Sequence, residues 1–101
     1  MKPIAQIASM TELRAVIDAL DGELVAGLAA RARLIDRAAE LKPAEGMPAR
    51  VPVRVDEVLA HVRAEAVARG LDPALVEALW RQIVDWSIAR EEVVLGKGAG
   101  A

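Results

Sequence analysis

An all-α fold with three helices per chain is predicted by three observations on this sequence. Apolar residues recur at helical spacing, the composition is rich in helix formers, and proline and glycine cut the chain twice. From Leu13 to Leu41 the apolar positions are Leu13, Ile17, Leu20, Leu24, Leu28, Ile35, Ala38 and Leu41, a helical rhythm. Apolar residues make up 54% of the 101-residue chain, which suffices for one domain with a core. Alanine, leucine, glutamate and arginine all favour helix. No period-two apolar run bounded by turn residues occurs, so strands are not expected.

Each helix carries its own punctuation. Ser9 and Glu12 have capping-box spacing, with Thr11 as an alternative cap, so the first helix starts near residue 10. It is expected to end at Lys42, before Pro43. The segment 43–52, PAEGMPARVP, reads as a loop because it holds three prolines and a glycine. A second helix is predicted over 53–69, with Val55, Val58, Leu59, Val62 and Ala66 on one side and Gly70 as its C′ residue. Asp72 followed by Pro73 is an N-cap with proline at N1, opening a third helix over 73–95. The tail 96–101, GKGAGA, is expected to fray.

The first helix implies an assembly. About 32 residues at 1.5 Å each reach close to 48 Å, longer than a compact domain of this size can cover. Its apolar stripe therefore calls for a second copy, and a homodimer follows if the helix is unbroken. Gly22 and Gly27 are its weak points, each costing about 1 kcal/mol relative to alanine. A turn at Asp21-Gly22 is the alternative, giving shorter helices in a monomeric four-helix bundle.

Cations lie where that helix should be apolar. Arg31 is seven residues after Leu24 and seven before Ala38, in the middle of the stripe. Lys42 follows eleven residues later, pointing the same way about 16 Å along the axis. A buried cation needs a bound anion or an acidic partner, so this face reads as a site. Arg14 precedes Arg31 by about 25 Å of rise and cannot join the same site within one chain. In an antiparallel pairing of two long helices it enters the partner's site.

Composition excludes several classes. The net charge of −2 argues against a general nucleic-acid or anionic-membrane binder. Without cysteine there is no disulfide framework, thiol nucleophile or Cys-based metal site, which fits an intracellular protein. The start MKPIAQIASM lacks a signal-peptide apolar core, and no run approaches the roughly 18 apolar residues of a membrane span, so a cytoplasmic location is expected. His61 stands alone and Asp18 and Asp21 lack metal-ligand company, so no metal is expected. Trp80 and Trp86 are expected as core or interface anchors, and Arg63 and Arg69 as surface charges.

The stretch LRAVIDALDGELVAGLAARARLIDRAAELK resembles the first helix of the all-helical chorismate mutases, the AroQ class. It equally resembles their relatives, the isochorismate-pyruvate lyases of salicylate biosynthesis. The shared pattern here is Arg14 with Ile17-Asp18 and Asp21, then Arg31, Lys42 and, beyond a loop, Arg54; it extends through GLDPALVEALWRQIVDWSIARE. The resemblance implies an intertwined homodimer without cofactors, acting on chorismate or isochorismate. It implies that Arg31 and the partner copy's Arg14 clamp carboxylates, that Lys42 donates to the breaking ether oxygen, and that Arg54 holds the anion at the mouth. Ile35, Ala38 and Ile88 would wall the ring.

The chain departs from the mutase pattern in two ways. Counting from Ser87, the family's third-helix glutamine, a second donor to the ether oxygen, is Glu91 here; only a protonated carboxyl can donate in its place. Val55 and Val51 stand where typical mutases carry acids that bind the ring hydroxyl, a pattern closer to the lyases. The twelve-residue step from Lys42 to Arg54 is closer to the mutases. The leading expectation is a chorismate mutase, with an isochorismate-pyruvate lyase as the alternative. A non-enzymatic helical dimerisation module is the reading of a different class.

Overall fold

The structure, a computed structural model, describes residues 2–96. Among these residues all α and β structure is helical: α1 over Met10–Glu45, α2 over Pro52–Ala68 and α3 over Pro73–Leu95, preceded by a 3-10 turn at Ile4–Gln6. Contacts divide the chain into two compact units, with the boundary after Arg33.

In the first unit Ser9 caps α1. Its hydroxyl accepts from the Glu12 N–H at 3.1 Å, while its carbonyl accepts from the Leu13 N–H at 3.0 Å. Glu12 reaches back as a capping-box residue does, but to the amide of Ala8 (3.3 Å), and it also takes Lys2 Nζ at 2.6 Å. The helix runs through Gly22 and Gly27 without a break, so the turn at Asp21-Gly22 does not form. No residue from 2 to 33 is buried, and Ile17, Leu20, Leu24 and Leu28 all stand exposed.

The expected end of α1 is corrected by one turn. The helix continues through Pro43 to Glu45, and the connecting loop shrinks from 43–52 to 46–51. Pro43 lacks the N–H that would bond the Ala39 carbonyl, a tolerable loss so close to the helix end. Termination comes at Gly46, whose φ of 69° is the left-handed conformation that a C′ glycine supplies. Met47 N–H bonds the Lys42 carbonyl at 3.0 Å and Gly46 N–H the Pro43 carbonyl at 3.2 Å, the paired bonds of a Schellman motif. The same motif closes α2: Gly70 has φ 71°, Leu71 N–H bonds Ala66 and Gly70 N–H bonds Val67. With Pro52 at N1, α2 spans 52–68 rather than 53–69. Asp72 caps α3 as expected, accepting from Ala74 N–H at 2.9 Å, and α3 runs over 73–95. Of the tail expected to fray, Gly96 is the C-cap of α3 and residues 97–101 lie outside the described residues.

The core belongs to the second unit, where α2 packs against α3. Ala49, Val84 and Ile88 form one buried cluster with Val55, Val58 and Leu95 against it; Val62, Ala66 and Val76 form another. Trp80 touches both clusters and so fulfils its role as a core anchor. Arg63 pairs with Glu77 and Arg69 with Glu65, both arginines exposed.

Candidate active site

A buried ion pair forms the centre of the site. Lys42 leaves the last turns of α1 with its Nζ donating to Glu91 Oε2 at 2.6 Å and to the Ala49 carbonyl at 2.7 Å. The lysine side chain is 17% exposed and the glutamate 4%. Three local structures place these groups. The Schellman motif uses the Lys42 carbonyl and so fixes the backbone beneath that side chain. Ala49 is drawn into the core against Val84 and Ile88, which presents its carbonyl inward. On α3, Glu91 lies one turn beyond Ser87, which is also buried and donates to the Ile83 carbonyl at 2.7 Å.

The pairing explains how a cation sits on the inner face of α1. Taking Lys42 out of water is compensated by a carboxylate and a carbonyl, whereas an unpaired charge there would cost several kcal/mol, about 3–5 by the measure of broken buried pairs. An ammonium has three N–H donors, so one is left to point at a ligand. Glutamate as a carboxylate only accepts; it steers Lys42 but donates nothing.

Next to this pair is a second, exposed one. Arg90 Nε donates to Asp36 Oδ1 at 2.6 Å and its Nη2 to Oδ2 at 3.0 Å, and its guanidinium lies 5.3 Å from the Trp86 ring centroid. The hydrogen bond from Arg90 holds the Asp36 carboxyl below the ordinary carboxylate range, and the same bond raises Arg90.

The remaining candidate residues are distributed more widely. Ile35 and Ala38 are half-buried on α1. Ile88 is buried in the core cluster, packed against protein. Arg54, in the first turn of α2, is exposed and meets Glu57 at 3.4 Å. Arg14 and Arg31 belong to the first unit, the former exposed and the latter half-buried. The structure thus brings Lys42 and Glu91 together directly. The Ala49 carbonyl and the Asp36–Arg90–Trp86 group were not anticipated. Nothing in the local sequence marks them, since Asp36 and Arg90 are 54 residues apart. Among the described residues no group of three or more His, Cys, Asp or Glu is placed to hold a metal, and no helix is long and apolar enough to cross a membrane.

The model of the chorismate mutase type II family matches residues 13–92. The T-protein of Enterobacter agglomerans is 38% identical over 85 residues, covering 84% of this chain and 23% of that protein. The T-protein of Haemophilus influenzae is 32% identical over 83 residues, covering 82% of this chain and 22% of that protein. The chain therefore spans less than a quarter of the length of these two relatives. The isochorismate pyruvate lyase of Pseudomonas aeruginosa is 33% identical over 92 residues, covering 90% of this chain and 89% of that protein. With 80 of its 101 residues inside the matched segment, the chain belongs to the chorismate mutase type II family.

Proposed function

We propose that the chain is a cofactor-free chorismate mutase that rearranges chorismate to prephenate and works as a cytoplasmic homodimer. Supporting this reading above all is the Lys42 ammonium, held at a fixed point by Glu91 and the Ala49 carbonyl in a chain of this family. The reaction is pericyclic: within one molecule the ether C–O bond breaks as a C–C bond forms, and nothing is oxidised, reduced or expelled. It requires a folded substrate conformer and a donor where negative charge grows on the ether oxygen. Lys42 is that donor. Arg31 and the partner copy's Arg14 clamp the two carboxylates through their planar forks, and Arg54 adds charge at the mouth. Ile35 and Ala38 supply the apolar wall.

Glu91 takes the place of an amide that would donate alongside Lys42. A glutamine there would accept from Lys42 through its carbonyl and donate to the ether oxygen through its NH2. The carboxyl donates only when protonated. Glu91→Gln, whose amide donates whatever the pH, should therefore raise turnover.

A second reading, cleavage of isochorismate to salicylate and pyruvate, has its own support. The Pseudomonas aeruginosa lyase matches along nearly its whole length, and Val51 and Val55, both half-buried, offer no acid beside Arg54. Parallel assays with chorismate and isochorismate decide between them: prephenate as the dominant product supports the mutase, salicylate with pyruvate the lyase. A bicyclic dicarboxylate mimic of the transition state, at 100 times its dissociation constant, should add about 2.7 kcal/mol of stability. No turnover and no thermal shift would leave only a dimerisation module.

A further inference from the structure

We propose that Asp36 and Arg90, braced by Trp86, form a positioning clamp that fixes the rotation of α3 against the last turns of α1 and so holds Glu91 against Lys42. The inference rests on the reading of Lys42 and Glu91 as the reacting site. Between the Leu34–Glu45 part of α1 and α3 no two Cα atoms come within 8 Å, so long side chains span the gap. Two ion pairs do so, Asp36–Arg90 and Lys42–Glu91. Their arrangement is geometric. Asp36 and Lys42 are each three residues from the buried Ala39, so they project about 60° to either side of it and about 9 Å apart along the axis. On α3 their partners are consecutive residues, about 100° apart around the helix. Turning α3 either way breaks one pair or the other, and the two ties together leave one rotation.

The clamp is built for direction more than for stability. Both members are nearly half-exposed, and exposed ion pairs ordinarily contribute little to folding. Unlike an ordinary surface pair, this one is bidentate and planar, which fixes orientation as well as distance. Trp86 is one turn before Arg90 on the same helix, and its ring holds the guanidinium in place, so little rotamer freedom remains to be lost when Asp36 engages. Arg90 is the neighbour of Glu91 in the chain, and whatever fixes the first fixes the second.

The test compares Asp36→Asn, Arg90→Gln and the double variant in the full chain. Each single change should lower kcat about tenfold or more while KM moves less than about threefold, because misplacing Lys42 and Glu91 costs transition-state stabilisation. The double variant should be no worse than either single, as expected when both remove one interaction. Exchange of the Lys42 ammonium protons with water, followed by nitrogen NMR, should quicken several-fold in Asp36→Asn. Unchanged kcat in both singles, or losses that multiply in the double, would overturn the clamp. The NMR readout needs no turnover: if the wild type acts on neither substrate, the proposed function fails, while faster exchange still supports the clamp and unchanged exchange refutes it.

Discussion

Leu24 in the first unit and Val84 in the second both occupy apolar positions repeated at helical spacing, yet Leu24 is 60% exposed and Val84 6%. The difference lies in what each helix has to pack against. Beyond Arg33 the chain doubles back twice, and α2 and α3 bury each other's stripes around Trp80. Before it there is one helix with a cap, a 3-10 turn and no other element. In the proposed dimer this exposed stripe meets the partner copy, and Arg14 and Arg31 lie on the same helix segment. The Lys42–Glu91 pair lies in the second unit and the proposed anion clamps, Arg14 and Arg31, in the first.

The sharpest way to break that division is to attack the self-sufficient side at its charged centre. Lys42→Ala should lower kcat about 100- to 1000-fold, the usual cost of losing an electrostatic donor. It also strands Glu91 in the interior, with a stability loss of up to about 3–5 kcal/mol. Adding Glu91→Gln to Lys42→Ala removes the stranded charge. Thermal unfolding should then recover while turnover stays low. Activity within threefold of wild type in either variant would move Lys42 out of the chemistry.

How far this division was legible in the sequence depends on whether the signal is local. Asp72-Pro73 gave the start of α3, because a side-chain cap and a ring-fixed φ act within three residues. Ser9 gave the start of α1 in the same way. Pro43 misled, since a helix-breaking residue is tolerated in a last turn where a glycine three positions on ends the helix. Gly46 was the better signal. Of the candidate site, Arg31 and Lys42 were readable from their place on the apolar stripe of α1 and Arg14 from its rise along the same helix, whereas Arg54 and Glu91 were readable only through a resemblance. That Lys42 meets Glu91 depends on a fold bringing together residues 49 apart. The Asp36–Arg90 pair had no sequence signal at all.

The partner-seeking side is tested next, through its arginines. In the proposed dimer Arg14 and Arg31 of one chain serve different substrate molecules, so Arg14→Ala and Arg31→Ala should each be inactive alone. Mixed and allowed to exchange subunits, they restore one intact site per heterodimer. Random pairing at equal amounts then predicts recovery to about a quarter of wild-type activity, given two-fold symmetric dimers. Mixtures that stay inactive after exchange is verified by mass would place both arginines in one site, or in none.

A milder change separates a stripe that awaits a partner from ordinary exposed residues. Leu24 on α1 and Val67 on α2 are similarly exposed, at 60% and 67%. Leu24→Asp should lower the melting temperature, weaken the dependence of melting on protein concentration that a dimer shows and shift the molecular mass toward that of one chain. Val67→Asp should change stability by no more than about 0.5 kcal/mol, as surface substitutions do. Equal behaviour of the two variants would mean that the α1 stripe is as inert as the surface of α2.

The smallest effect expected is in the acid limb of stability, and it belongs to Asp36 alone. Arg90 holds the Asp36 carboxyl below its ordinary value of 3.8 in the folded chain. The folded state therefore binds a proton there less readily than the unfolded chain does, and the pair adds stability above that range. That increment disappears as pH falls through the lowered folded value. Above about pH 5, where both states are ionised, the contribution is constant. Because the pair is exposed to solvent, its share is small and salt-sensitive. Melting curves of wild type and Asp36→Asn should therefore differ slightly at neutral pH in low salt and converge below the ordinary carboxylate range. A gap that persists at the lowest pH would show that asparagine perturbs packing, and that the ion pair contributes nothing measurable to folding.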